Sequence, residues 1–357
     1  MTFKNIFSDN EVQFIEYYRR FYDYYHTPQD VIIYGTGQNG RRVLDYLKTS
    51  AIRVIAFCDS KALDNDRTFL GLPVLSPQSA VNKKCLILIA STWYFEIEEK
   101  LNALGCANYM NVSLLAIARQ PPVANIEEKL AWLRARFDHD STAVLQDICS
   151  ALISREKIQM QISEYPQYRH PAIALQPAAG IIDGGACRGE IFATFDGEVE
   201  GKTFICFEPE RANFEYIRDN FSTSEIGAAV FVEANGLWNT ETLLHFMDNT
   251  ESGANFNCAI NSSGNTTIKT TTIDSYLENN PLKIDLIKLD IEGAELEALE
   301  GGANTITTYK PALAICTYHY IDDLWLLAEK IYNLNPHYKF YLGHHENSWF
   351  ETVLYAI

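Results

Sequence analysis

The segment best suited to hold a ligand is an apolar strand that ends in an acid and breaks into glycines: Ile181-Ile182-Asp183-Gly184-Gly185-Ala186-Cys187-Arg188-Gly189-Glu190. Glycines at such a turn allow positive φ and close backbone approach, so a ligand can lie across it against the start of the next helix. The following apolar run, Thr203-Phe204-Ile205-Cys206-Phe207, delivers Glu208 and Pro209. That acid lies about twenty residues beyond the glycines, the spacing at which a carboxylate accepts both hydroxyls of a ribose. A third apolar strand, Ile284 to Leu289, delivers Asp290, Glu292 and Glu295. Ligands of open α/β sheets bind at the C-terminal ends of the strands. Asp290 and Glu292 are therefore placed to touch a cofactor amino group, a reacting hydroxyl or a divalent cation, while Glu295 is expected to face the first helical turn. One strand further on, Ala312 to Tyr318 brings His319 to the same edge. A neutral imidazole there could take a proton from a hydroxyl; capping or packing at a strand end is the plainer alternative.

These acids need a sheet to carry them, and the pattern of the chain supplies two. Phe14, Ile15, Tyr18, Phe21, Tyr22 and Tyr25 recur at helical spacing, which predicts a docked leader helix within 1–28. From Val31 the chain runs as strand, glycine turn and helix, then a strand Val54 to Phe57 ending at Asp59, then a strand Cys85 to Ala90 before another helix. Such repeated βαβ units predict a small parallel sheet over 29–118. Arg119-Gln120-Pro121-Pro122 cannot sit inside a regular element and marks a boundary. A helical linker over 119–170 follows, with helices expected at about Ile126 to Phe137 and Ser141 to Ile158. A second βα series fills 171–357, closing in a hairpin, Tyr338 to Leu342 against Thr352 to Ala356. The expected class is α/β, with two Rossmann-like domains.

Composition narrows the partners. The 357 residues carry a formal net charge of −17, with 47% hydrophobic and 21% charged residues, as expected of a globular protein of two cores. A nucleic-acid backbone would be repelled, and no Lys/Arg cluster reverses the charge locally. The first residues lack the basic-then-apolar order of a signal peptide, and no apolar run is long enough to span a membrane, so a cytoplasmic protein is expected. The eight cysteines, Cys58, Cys85, Cys106, Cys149, Cys187, Cys206, Cys258 and Cys316, form no Cys-x-x-Cys pair and read as free thiols.

The three acidic strand ends, taken with further pieces, resemble the FkbM family of class I methyltransferases. The pieces are Ile182-Asp183-Gly184-Gly185-Ala186, Phe207-Glu208-Pro209, Thr272-Ile273-Asp274, Ile287 to Glu295 with Gly301 beyond, and Tyr318-His319 before Asp322-Asp323-Leu324. They span roughly 180–330 in the family's order. The resemblance implies a seven-stranded sheet ending in a reversed strand, S-adenosylmethionine as cofactor, and methyl transfer to an oxygen, often a hydroxyl of a sugar or polyketide. It carries Asp183, Gly184, Gly185, Ala186, Gly189 and Glu208 over as cofactor contacts, Asp183 facing the sulfonium and amino-acid end, and Asp290 as a cofactor or acceptor contact. His319, Asp290 and Glu292 are then the candidate catalytic residues. Methyl transfer needs chiefly in-line positioning, so a base is not essential. A divalent cation held by Asp290 and Glu292 with Asp322, Asp323 or His319 is the rival arrangement. Asn249 to Thr267, rich in Asn, Ser, Gly and Thr, is expected to be a lid or acceptor clamp flanked by Trp238 and His245. His344-His345-Glu346 is expected to decorate the terminal hairpin turn.

Gly35-Thr36-Gly37-Gln38-Asn39-Gly40 satisfies the dinucleotide fingerprint between a strand and a helix, with Asp59 ending the second strand. Gly35, Gly37, Gly40 and Asp59 are the candidate nucleotide-binding residues. The run from Val31 to about Val112 resembles the N-terminal domains of bacterial sugar O- and N-acyltransferases, which implies a nucleotide-linked sugar as ligand or partner. The reading that unites both halves is an O-methyltransferase acting on a sugar or glycan in surface-polysaccharide or secondary-metabolite synthesis. Two others stand beside it: an NAD-dependent nucleotide-sugar oxidoreductase or epimerase, against which the missing Tyr-x-x-x-Lys pair counts, and a non-catalytic sugar-nucleotide-binding scaffold.

Overall fold

The computed structural model describes residues 6–63, 67–153, 160–195, 197–221, 227–247, 259–260, 266–347 and 350–357. The chain forms two compact units. One comprises Met1–Ala131, Gln146–Ile158 and Tyr320–Asp322, the other Trp132–Leu145, Gln159–His319 and Asp323–Ile357. Among the described residues no helix is long and apolar enough to cross a membrane.

The first unit opens with a helix, Asp9–His26, started by a reciprocal cap in which Glu11 N–H donates to Ser8 Oγ and Ser8 N–H to the Glu11 carboxylate. Phe14, Ile15, Tyr18, Phe21 and Tyr25 are its buried stripe, as the helical spacing predicted. Its sheet contains β1 (Gln29–Tyr34), β2 (Ile52–Cys58), β3 (Thr68–Phe69), β4 (Leu72–Leu75), β5 (Leu86–Ile89) and β6 (Tyr109–Asn111), in the order β3-β4-β2-β1-β5-β6. All pairings but β3–β4 are parallel. Val31 to Tyr34 and Leu86 to Ile89 are buried along their whole length, the unbroken apolar pattern of strands covered on both faces.

The second unit is built on β7 (Gly180–Gly184), β8 (Thr203–Phe207), β9 (Ala229–Glu233), β14 (Leu286–Leu289), β15 (Ala312–Cys316), β16 (Phe340–His344) and β17 (Thr352–Ala356), ordered β16-β17-β15-β14-β7-β8-β9. Only the pairings of β17 are antiparallel. The register sets Lys288 of β14 beside Asp183 of β7, and Asp183 beside Cys206 of β8. Since β7 lies between β14 and β8, all three acidic strand ends meet at one edge.

Two expectations are corrected. The segment read as a long lid is bordered by strands: β10 (Gly236–Leu237), β11 (Leu243–Met247), β12 (Ala259–Ile260) and β13 (Thr266–Thr271) form a second sheet in the order β10-β13-β11-β12. Thr266 and Thr267 belong to β13, a β-branched strand that buries Ile268 and Thr270 on one face; polar composition concealed this alternation. The remaining positions of that segment, 249–258 and 261–265, lie outside the described residues, as does the Cys258 side chain. The terminal hairpin is also displaced. His344 ends β16 in full burial, with Nδ1 2.8 Å from Thr352 Oγ1, and His345 Nε2 is 2.9 Å from the Tyr355 hydroxyl, so neither ring decorates a solvent-facing turn. The seven cysteines among the described residues are free thiols.

Candidate active site

A cavity of about 360 Å³ opens where β7, β8 and β14 end, within the volume range of small-molecule sites. Gly185, Ala186 and Cys187 of the glycine turn line it beside Glu208 and Pro209; Leu237, Ile268 and Ile291 add apolar surface, and Asp290, Glu292, Tyr168 and Tyr318 a polar wall.

The turn holds its shape through backbone bonds. Gly185 and Ala186 N–H both donate to Phe207 O at 3.0 and 3.2 Å. Gly185 has φ +71°, and a Cβ on it would lie 1.8 Å from Asp290 O. Gly184 packs against Leu289 and Leu237, and Gly189, at φ +82°, against Phe221 and Phe192. These glycines let the turn press on its neighbours; the ligand space lies on the other side. Gly185→Ala is accordingly expected to lower stability by about 1–3 kcal/mol from backbone strain alone, with the clash adding to it; a urea midpoint equal to wild type would contradict this account.

Asp183 does not line the cavity. It is fully buried, and its Oδ1 lies 2.8 Å from Lys288 Nζ. That ammonium also donates to Gly184 O at 3.0 Å and Gly185 O at 2.7 Å, tying the acid to the turn above it. Burial works against the charge of Lys288, yet Asp183 and Asp290 outweigh it and keep the ammonium protonated. Asp183 thus organises the turn from beneath.

Glu208 is inside the cavity and only 6% exposed. One oxygen accepts Cys187 N–H and the other Glu210 N–H, both at 2.8 Å. Burial pushes its pKa up to about 7, against the lowering effect of these donors. Each carboxylate oxygen can accept a further hydrogen bond.

On the opposite wall, Tyr168 Oη donates to Asp290 Oδ2 at 2.9 Å and Tyr318 Oη to Asp290 Oδ1 at 2.8 Å. Burial works against the charge of Asp290, but Lys288, His319 and the two hydroxyls hold its carboxyl below the usual range. Behind it, His319 Nδ1 lies 3.1 Å from Glu295 Oε1, and Nε2 lies 3.4 Å from Glu292 and 3.6 Å from Asp290. Burial opposes charge on the ring, but the three carboxylates prevail and raise its pKa to about 10. An imidazolium has no lone pair to take a proton, so the geometry does not supply the neutral base expected at this position. Burial, followed by like charge from Asp290 and Glu295, pushes Glu292 up to about 7, and this side chain does reach the cavity. Glu295 Oε1 also accepts Ile291 N–H at 2.9 Å, at the head of the helix Glu295–Gly301, as its position predicted.

The wider cation arrangement is not assembled. Both Asp322 oxygens accept backbone N–H groups of its own unit, from Arg119 at 2.8 Å and Gln120 at 3.0 Å. Asp290, Glu295 and His319 do bring their polar atoms within 4.8 Å of one another, but here they form the ion cluster just described. His245 is exposed on β11 and Trp238 half-buried after β10, neither lining the cavity.

Tyr168, Lys288 and Glu351 had no role assigned from sequence. The signal for Lys288 was a lysine inside an apolar strand. Tyr168 and Glu351 reach the cavity from irregular segments, and one feature unites them. Of seven non-glycine residues at left-handed φ among the described residues, four line this cavity: Tyr168 (66°), Cys187 (44°), Glu292 (54°) and Glu351 (67°). Such strain gathers where side chains are required despite their backbone cost.

In the first unit, Gly40 and Gly35 are packing glycines: a Cβ would fall 2.0 Å from Gly35 O and 2.2 Å from Ala90 O respectively. Gly37 faces open space and precedes the helix Gln38–Tyr46. Asp59 accepts from the Thr36 hydroxyl, from Lys61 N–H at 2.9 Å and from Arg67 at 2.6 Å, so its oxygens are engaged within the unit.

A seven-stranded sheet of this order, reversed at one strand and carrying a glycine turn at the end of β7, next to the central strand β14, is the class I methyltransferase fold. Residues 183–342 match the family model for the methyltransferase FkbM domain, and residues 28–111 match the model described as C2185-like, N-terminal. Across 98% of this chain and 99% of the other, the fold is similar to a methyltransferase FkbM from Methylobacillus flagellatus KT, at 20% identity and a TM-score of 0.60. Fibrillarin from Aeropyrum pernix, in complex with natively bound S-adenosyl-L-methionine, is similar over 52% of this chain and 70% of that one, at 7% identity and a TM-score of 0.32. No curated protein matches the chain. The matched domain supports S-adenosylmethionine-dependent methylation.

Proposed function

We propose that the C-terminal unit transfers a methyl group from S-adenosylmethionine to a hydroxyl oxygen of a sugar or glycan. The observation that carries this reading is Glu208, a buried carboxylate held by two backbone donors at the rim of a glycine turn, facing a cavity with apolar surface. That donor set fits the cofactor: a carboxylate suits a ribose diol, and Leu237, Ile268 and Ile291 suit a purine. When bound, the cofactor supplies an electrophilic methyl on a sulfonium.

The chain's own groups do the rest. Lys288 and Asp183 fix the turn, and the tyrosine-bound Asp290 gives a fixed negative wall beside the cavity. Glu292, with a pKa near neutrality and access to the cavity, is suited to receive the proton of an acceptor hydroxyl. His319 keeps its own proton and positions Asp290 and Glu292. Polyols suit this wall, because carboxylates accept hydrogen bonds from hydroxyls. The front unit, through the open turn at Gly37, is proposed to hold a nucleotide-linked sugar.

Calorimetric titration with S-adenosylhomocysteine tests the reading. Wild type is expected to bind, and Glu208→Gln to bind at least about tenfold more weakly, or about 1.4 kcal/mol. Equal affinities would remove Glu208 from the cofactor site, and absence of binding to wild type would overturn the function.

A further inference from the structure

Glu351 enters the cavity from the start of β17, where its N–H side follows a hairpin closed by His345 N–H donating to Glu351 O at 3.1 Å. Its Oε2 accepts Gln167 Nε2 at 2.5 Å. The contact is a neutral amide, which fixes the carboxylate without neutralising it. The charge inventory of the cavity is one-sided. Glu190, Glu208, Asp290, Glu292 and Glu351 line it, and Lys288 is the one basic side chain among its described lining residues. The Lys288 ammonium is already shared among Asp183 and two turn carbonyls. Glu208 is held by backbone donors and Asp290 by two tyrosines, whereas among the described residues Glu292 has only His319 Nε2 at 3.4 Å, a ring it shares with Asp290 and Glu295, and Glu351 has the Gln167 amide.

Like carboxylates in a partly dehydrated cavity repel one another, and an incoming cation relieves that repulsion, whereas a phosphate adds to it. Burial and the neighbouring Asp290 push Glu351 above the usual carboxylate range, outweighing the Gln167 amide and the His319 charge that oppose them. Glu292 and Glu351 both line the cavity from left-handed backbone, each at a local conformational cost.

We propose that Glu351 is a specificity-determining residue which, together with Glu292, receives a protonated amine on a hydroxyl-bearing acceptor and turns phosphorylated acceptors away. This rests on the methyl-transfer reading and names its substrate class: an amino sugar or similar amino polyol. A nucleotide-linked sugar would then belong to the front unit.

The full chain saturated with S-adenosylhomocysteine is titrated calorimetrically with glucosamine, glucose and glucose 6-phosphate, and with the corresponding galactose and mannose sets. In at least one set the amine is expected to bind about tenfold more tightly than the neutral sugar, with the 6-phosphate weakest. Glu351→Gln, which preserves shape and the amide contact, is expected to erase the amine preference while S-adenosylhomocysteine still binds. Equal or tighter binding of neutral or phosphorylated sugars, an amine preference that survives in E351Q, or no sugar binding to the loaded protein would each overturn the proposal alone. Failure of wild type to bind S-adenosylhomocysteine would instead overturn the methyl-transfer reading beneath it.

Discussion

Lys288→Met is expected to lower the free energy of unfolding by about 3–5 kcal/mol, the cost of stripping one partner from a buried charge pair. The ammonium is 5% exposed and its partner Asp183 fully buried, so water cannot replace the lost contact. Methionine fills much of the same volume, which leaves the charge as the difference tested. Asp183→Asn in the same background is expected to recover a large part of the loss, because removing both charges is far less costly than removing one. Urea unfolding followed by circular dichroism reads both variants. A single substitution costing under about 1 kcal/mol would mean that the pair contributes no more than a surface ion pair.

His319→Gln is the second large effect, and its signature is a pH dependence. The ring is raised from 6.5 to about 10 because Glu295, Asp290 and Glu292 outweigh the burial that opposes its charge. A group whose folded pKa is raised contributes stability in full below its unfolded pKa and loses it as pH rises through the folded pKa. Wild type should therefore be steadily less stable from about pH 6.5 to pH 10. Glu292, raised from 4.5 to about 7, acts in the same direction between those values, mostly below that window. Glutamine leaves the carboxylates without their cation, so the variant should be weaker by about 3–5 kcal/mol at pH 7 and should lose much of the alkaline slope. Nitrogen-15 spectra of the wild-type imidazole provide a second readout: a ring that loses its proton near pH 6.5 would refute the ion cluster and restore the neutral base.

The strands at 181–184, 203–207 and 286–289 were legible because a parallel sheet covered on both faces reads as unbroken apolar runs, each ending in the acid that marks its C-terminal tip. Glu208 and Asp290 could be placed at the cavity from that pattern alone. The partner of Asp183 could not, since Lys288 is 105 positions away and only the β7–β14 register brings them together. The charge state of His319 was hidden for the same reason: Asp290, Glu292 and Glu295 are local to one another, but their approach to the ring depends on β14 and β15 being adjacent. Tyr168 sits between prolines in a segment without periodicity, and Glu351 precedes a strand whose start was judged from hydrophobicity. Neither position reveals a left-handed backbone to sequence reasoning, because glycine and asparagine are the residues that usually mark one. The small sheet at 236–271 was missed because threonine serves equally as strand former and loop residue.

The four left-handed positions bear on how this protein would respond to engineering for heat resistance. Substituting glycine at Cys187, Glu292 or Glu351 relieves unfavourable backbone geometry, so a selection that scores survival on heating has reason to sample such replacements at the cavity wall, whereas at buried Tyr168 the lost packing outweighs the relief. Each one would also remove a side chain that lines the cavity. Hardier variants and competent ones would thus diverge at the same positions, and a library intended to improve both should hold these four residues constant.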